Sequence, residues 1–278
     1  MYPGQWDRFP ARSDRKEHKV TNLLSEKVIL VNGGTQGVGA GVVRAAVREG
    51  AAVVFTGRRA ETGKALAEDL EAEGAKVRYV RADLSDPADA RDTVTATVSA
   101  FGRIDGLCNA SGLTSRGTLL DTTPQLFDEH IAVNLRGPFF AMQAAVETMI
   151  ADGTAGSIVN IISIAQHCGQ PYLAPYVAAK AGLAGLTRNA AYAHRLDRIR
   201  INGLNIGWTE TEGESVVQRT FHGGGDDWVA AAARTLPMGK LGQVDEIAAM
   251  VVFLLSERSG VVTGSVIDWD QIVIGGQD

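Results

Sequence analysis

The chain is poor in cysteine. Two residues, Cys108 and Cys168, stand in 278 positions, which excludes a disulfide framework. Their spacing fits no zinc-ligand pattern, and the five histidines contain no HExxH pair, so no metal site is expected. Two free thiols suit a reducing cytoplasm, and Cys168 reads as inert packing. Positive charge is also in short supply. A net charge of −5 and a pI near 5.6 argue against nucleic acid as the main partner, because phosphate binding needs a basic surface. No apolar run reaches the roughly 18 residues of a membrane span, so no membrane partner is expected. The first residues lack the hydrophobic centre of a secretory signal. Residues 1–24 read as a flexible, solvated extension with a net charge of about +2, from five Lys/Arg against three Asp/Glu.

Glycine is plentiful, with 32 residues, and short β-rich runs alternate with longer helical patterns from Lys27 onward. The strand candidates are 27–32, 52–56, 76–80, 104–109, 156–162, 200–205 and 264–269. Most are nearly continuous apolar runs, as expected for a parallel sheet covered by helices on both faces. The pattern predicts one α/β domain over 25–278, a three-layer, Rossmann-type, doubly wound parallel sheet of about seven strands. One segment breaks the rhythm. Residues 208–238 are long, polar and glycine-bearing, and read as a lid or mobile loop.

The first strand runs into Asn32-Gly33-Gly34-Thr35-Gln36-Gly37-Val38-Gly39 and then a helix. Gly33 permits a tight turn, Gly37 a close approach to a pyrophosphate, and Gly39 close helix–strand packing. Thr35, Gln36 and Val38 complete a loop whose helix N-terminus offers free N–H groups to phosphate. The second strand ends in Thr56-Gly57-Arg58-Arg59, where a dinucleotide's ribose 2′-OH is usually met by a carboxylate. Two guanidiniums there predict NADP(H) over NAD(H). Asp83 and Leu84 follow the third strand, at the expected adenine position. Asn109, Ser111 and Gly112 (NASG) end the fourth strand, at the switch point where ligands enter such sheets.

Tyr176 and Lys180 are four residues apart on a helix predicted from Pro175 to Ala193, hence on one face. A phenol is a poor base at neutral pH, and a neighbouring ammonium is expected to lower its pKa. Ser163 ends the fifth strand, thirteen residues before Tyr176, where a hydroxyl suits a substrate carbonyl.

Together these residues resemble the short-chain dehydrogenase/reductase family, in its single-domain branch, over nearly the whole chain from residue 25. The loop fits Gly-x-x-x-Gly-x-Gly, and Val133-Asn134-Leu135 lies on the helix after the fourth strand. The resemblance implies that Ser163 positions the substrate oxygen and Tyr176 exchanges its proton. It implies that Lys180 holds the nicotinamide ribose and tunes Tyr176, while Asn134 steadies a proton-relaying water. It also implies contacts from Gly207, Thr209 and Thr211 on the nicotinamide side, and a homotetramer or homodimer. The helix Val244–Leu255 and the last strand would then be contact surfaces. The chain departs from the family pattern at Asn32, at NASG, at Asn205-Ile206-Gly207 and at Asp270-Gln271.

The expected reaction interconverts a secondary alcohol and a ketone on a small-molecule substrate. Thr114, Arg116, Gln166, His167, Gln170, Tyr172, Trp208, Glu210, Glu212 and Glu214 should border the pocket. This polar set favours a sugar, polyol or cyclitol-type ketone over a long acyl chain, with His167 a second acid/base candidate. A ketoacyl reductase is the alternative within the family. An enoyl reductase would need Tyr-x6-Lys, but Leu173 stands at that position. A silent NADP-binding sensor or structural subunit is the alternative of another class.

Overall fold

A computed structural model describes residues 22–167 and 169–275. Most of the expected N-terminal extension, and Cys168, lie outside the described residues. Seven strands appear: β1 (Val28–Asn32), β2 (Ala52–Gly57), β3 (Val77–Arg81), β4 (Gly106–Asn109), β5 (Ser157–Ser163), β6 (Arg200–Ile206) and β7 (Val266–Trp269). They form one parallel sheet in the order β3-β2-β1-β4-β5-β6-β7. The order reverses between β1 and β4, which opens a crevice at their carboxyl ends.

Each strand sends alternate side chains to opposite faces. Val31 and Phe55 join one core with α1 (Gly37–Arg48), α2 (Ala60–Ala72) and α9 (Val244–Leu255). Leu30 and Val54 join the other with α3 (Pro87–Phe101), α5 (Gly137–Ala151) and α6 (Ala174–Ala193). Phe55, Leu30 and Ile158 are fully buried, each stabilising the fold by about 1.5–3 kcal/mol. Local signals agree with this packing. At α3, Asp86 caps the first turn through Ala88 N, Pro87 opens it, and Gly102 closes it in the left-handed region (φ 79°).

Two features depart from the expected pattern. A π-helical turn, Ala132–Arg136, joins α4 (Pro124–Ile131) to α5. The segment 208–238 is not a structureless loop, for it holds α7 (Glu212–Phe221) and α8 (Trp228–Ala233). Thr211 caps α7 by accepting from Glu214 N at 3.0 Å, and Glu212 and Glu214 complement the helix dipole in its first turn. Trp228, Ala232 and Leu241 form a separate small core beneath them. The polar composition disguised α7, which has no buried residue and is a surface helix.

Candidate active site at the carboxyl edge of the sheet

The loop after β1 is shaped by its glycines. Gly33 has φ +77°, and a Cβ there would lie 2.6 Å from Ser111 N; a Cβ on Gly39 would lie 2.1 Å from Gly33 O. The backbone of β1, the β4 end and α1 therefore meet at distances no side chain allows. The missing Cβ of Gly37 faces Thr211 Cγ2 across a slot of 3.7 Å. Gln36, at the start of α1, makes no side-chain cap, so the first N–H groups of α1 are left for an anion. Thr35 is buried against Gly57, Val38 is part-buried, and Gly112 is exposed. The Ser111 hydroxyl is buried without a protein partner at this crevice. Uncapped N–H groups, the glycine-rich loop and the orphaned hydroxyl fit a dinucleotide pyrophosphate.

Under the crevice runs a chain of buried amides. Thr56 Oγ1 donates to Asn32 Oδ1 at 3.0 Å, and Asn32 Nδ2 to Asn109 Oδ1 at 3.3 Å. Asn109 Nδ2 donates to Asn160 Oδ1 at 2.9 Å, and Asn160 Nδ2 to Thr187 Oγ1 at 2.9 Å. Asn109, expected beside the cofactor, spends both ends of its amide here. The departure at Asn32 gains a physical reason, since its amide links β2 to β4. Leu84 also points into packing, with Ala82 and Ala90. Asp83 accepts from Ser85 N at 3.0 Å and Ser85 Oγ at 2.8 Å. Burial pushes its carboxyl up, but those bonds and the charges of Arg58 and Arg81 outweigh burial and hold it below the usual carboxylate range. Arg58, Arg59 and Arg81 are exposed at the adjacent ends of β2 and β3.

Strand β5 ends in Ser163, and the first turn of α6 carries Tyr176. The Ser163 hydroxyl favours the ionised form of the Tyr176 phenol, and Ser163 Oγ accepts from Ala165 N at 3.2 Å. One turn on, Lys180 is buried, donates to Ile161 O at 2.8 Å, and lies 5.7 Å from the centre of the Tyr176 ring. Burial pushes its ammonium down to about 8. The sequence expectation was a phenol made more acidic by that ammonium. In this structure burial instead pushes the Tyr176 phenol above its ordinary value. Ser163 and Arg116 pull it down, and Glu214 pushes it further up. Lys180 donates instead to a backbone carbonyl, and burial disfavours its own cation.

Asn134 sits in the π-helical turn, a feature that concentrates at functional sites. Its Oδ1 accepts from Leu113 N at 2.9 Å, and its Nδ2 donates to Leu113 O at 3.0 Å. The same nitrogen faces His130 Nδ1 at 3.2 Å. His130, which the sequence did not single out, is fully buried. Its Nε2 lies 3.1 Å from Ser115 O and its ring stands edge-on to Tyr176 at 6.3 Å. These contacts assign the neutral Nε2–H tautomer. Burial pushes the imidazole down, against the Ser115 bond and the Glu129 charge.

The expected substrate residues divide into two groups. Arg116 lies over the Tyr172 ring at 5.0 Å, His222 meets that ring edge-on at 5.4 Å, and the exposed Thr114 accepts from Arg116 Nη1 through its carbonyl at 3.0 Å. Trp208 Nε1 donates to Glu214 Oε1 at 2.9 Å. The charges of Arg116 and Glu214 both reach the Tyr176 phenol, which sets this group of residues near the acid/base tyrosine. Gln166 and His167 do not join them. His167 Nε2 meets Asp268 Oδ1 at 2.8 Å, where Asn205 Nδ2 also donates at 2.7 Å, and Gln166 contacts the His167 ring. His167 is thus engaged with Asp268 beside β7.

On the expected nicotinamide side, Gly207 O accepts from Thr209 Oγ1 at 2.9 Å. A Cβ on Gly207 would lie 1.9 Å from Asp270 Oδ1. Thr211 lines an adjoining cleft of about 380 Å³ with Glu210, Ser215 and Gln243. Among the described residues no His/Cys/Asp/Glu group could hold a metal ion, and no helix is long and apolar enough to cross a membrane.

Residues 33–271 match a family model described as enoyl-(acyl carrier protein) reductase. The chain is 34% identical over 247 residues to the A-factor type gamma-butyrolactone 1′-reductase (1S-forming) of Streptomyces virginiae, covering 87% of this chain and 93% of the relative. It is 31% identical to the NADP-dependent (R)-specific alcohol dehydrogenase of Lentilactobacillus kefiri, over 88% of this chain and 96% of that one. A solved short-chain dehydrogenase/reductase from Serratia marcescens BCRC 10948 superposes with a TM-score of 0.80 at 30% identity, covering 89% of this chain and 98% of that chain. The chain belongs to the short-chain dehydrogenase/reductase family, a family of oxidoreductases that use a nicotinamide dinucleotide.

Proposed function

We propose that the protein is a cytoplasmic, homotetrameric, NADP(H)-dependent oxidoreductase that interconverts a secondary alcohol and a ketone on a small polar substrate. The reading rests above all on Ser163 acting on the Tyr176 phenol, with Lys180 buried one turn beyond it and 5.7 Å from the ring centre. When bound, the cofactor supplies or accepts the hydride. In the reductive direction Ser163 donates a hydrogen bond to the ketone oxygen, and Tyr176 delivers the proton to the same atom as it becomes an alkoxide. Lys180 keeps a positive charge beside the phenol as it loses that proton. Asn134, locked to Leu113 on both sides of its amide, holds the bend on which the relay depends.

The positive ends of β2 and β3 support the 2′-phosphate. Arg58 and Arg59 stand where a carboxylate would favour NAD(H), and Arg81 pairs in register with Gly57. The dehydrogenase of Lentilactobacillus kefiri is NADP-dependent by name. The description of the family model raises enoyl reduction, but Leu173 is buried and bridges to Gly117 at the position that reaction's tyrosine would need. Tyr172 lies in the pocket wall.

A panel of polyols, sugars and ketones assayed with NADPH, NADP+, NADH and NAD+ tests the reading. Turnover of ketones and secondary alcohols with a clear preference for the phosphorylated cofactor is expected. Preference for NADH overturns the cofactor assignment. Turnover confined to ketoacyl thioesters overturns the substrate class, and cofactor binding without turnover across the panel favours a sensor.

A further inference from the structure

Among the described residues Arg116 has no ion-pair partner, and its charge reaches the Tyr176 phenol. Its guanidinium has five N–H donors. Nη1 donates to Thr114 O at 3.0 Å, and Nη2 lies 3.0 Å from His222 Nε2. Neither partner carries a negative charge. Nε is buried with no partner. Among the described residues no carboxylate lies within ion-pair distance. Glu214 shares the cleft, but its Oε1 accepts from Trp208 at 2.9 Å and Gln218 at 2.8 Å.

The guanidinium is also held in place before any ligand arrives. Its carbon lies 5.0 Å from the centre of the Tyr172 ring and 5.7 Å from that of Phe221, so aromatic rings pack the flat group from two elements, the loop before α6 and the end of α7. A part-buried cation with an unmet N–H is unstable relative to one that is paired. A planar fork fixed by stacking is the form that takes a carboxylate through two bonds with little loss of freedom.

We propose that Arg116 is the anion receptor of the substrate pocket, and that the substrate is a hydroxy or oxo acid, such as a sugar acid, whose carboxylate it binds. The inference rests on the alcohol–ketone reading above and narrows it. It also suits the chemistry at Tyr176. A carboxylate entering alone would add a negative charge near a phenol that Glu214 already disfavours as an anion, whereas paired with Arg116 it enters neutralised. His222 occupies one edge of the fork, so an arriving carboxylate exchanges with an imidazole rather than with another anion.

Levulinate and levulinamide, a keto acid and its neutral amide, test this with NADPH as reductant. Wild-type protein is expected to favour levulinate in kcat/KM by about 10- to 100-fold, the range of a charge-assisted pair. Arg116→Gln is expected to abolish that ratio, and Arg116→Lys to retain part of it. Calorimetric binding of levulinate to the protein with NADP+ is a readout independent of turnover, and R116Q is expected to remove it. An unchanged ratio in R116Q, a wild-type preference for the amide, or levulinate binding that does not need Arg116 overturns the inference. Arg116-dependent binding of levulinate without reduction of either ketone upholds the receptor while defeating the alcohol–ketone reading. Reduction of both ketones at equal efficiency does the reverse.

Discussion

Helices α6 and α7 face the same cleft but are held by opposite means. α6 runs for twenty residues and buries Ala179, Lys180, Leu183, Ala184, Thr187 and Ala191 against the sheet. α7 buries nothing and depends on Thr211 as cap, on Glu214 bonded to Trp208 and Gln218, and on Arg116 meeting His222 at its end. Groups that exchange protons are thus fixed by the core. Groups proposed to choose the substrate rest on exposed polar contacts, each worth about 1 kcal/mol. The first arrangement resists change and the second can be remodelled without unfolding the domain.

The largest effect expected from this contrast is at Lys180. Lys180→Met should lower kcat by at least about 10²-fold and yet raise stability at pH 7. The folded ammonium is pushed down from 10.5 to about 8, so below about 8 both folded and unfolded states are charged and the burial penalty is complete. That corresponds to about 3 kcal/mol. Wild-type stability should rise relative to Lys180→Met from pH 8 toward 10.5, where the unfolded chain still holds the proton. Denaturant titrations of both proteins across that range check it; a variant less stable at pH 7 would show that the bond to Ile161 O outweighs burial.

A smaller effect is expected in the amide chain. Asn160→Ala leaves Asn109 Nδ2 and Thr187 Oγ1 without their partner and should destabilise the whole domain by about 1–3 kcal/mol, read as a shifted urea midpoint. The smallest is at the α7 cap. Thr211→Ala should lower local stability by about 1 kcal/mol, seen as faster amide exchange confined to α7, with the global midpoint unmoved. A global shift there would erase the distinction between the two helices.

What the sequence disclosed follows the same division. All seven strands were legible, most of them from nearly continuous apolar runs, and α6 was legible from Pro175 and the Tyr176–Lys180 spacing. The helices of 208–238 were hidden, since α7 is polar overall with no fully buried residue and Gly223–Gly225 interrupt the segment before α8. The amide chain was invisible because its links span 77 and 51 residues. His167 sits four residues past Ser163 and was read as a pocket group, but its partner Asp268 lies 101 residues away. The π-helical turn leaves no period in the side chains, so neither the bend at Asn134 nor the buried His130 behind it was expected.

The proton-transfer assignment is tested most directly by single-turnover oxidation of bound NADPH by a ketone substrate in wild-type, Tyr176→Phe and Tyr172→Phe proteins. Loss of about 10²- to 10⁴-fold in Tyr176→Phe, with cofactor affinity kept and Tyr172→Phe still active, is the expected result. Full turnover in Tyr176→Phe alongside an inactive Tyr172→Phe would contradict the account.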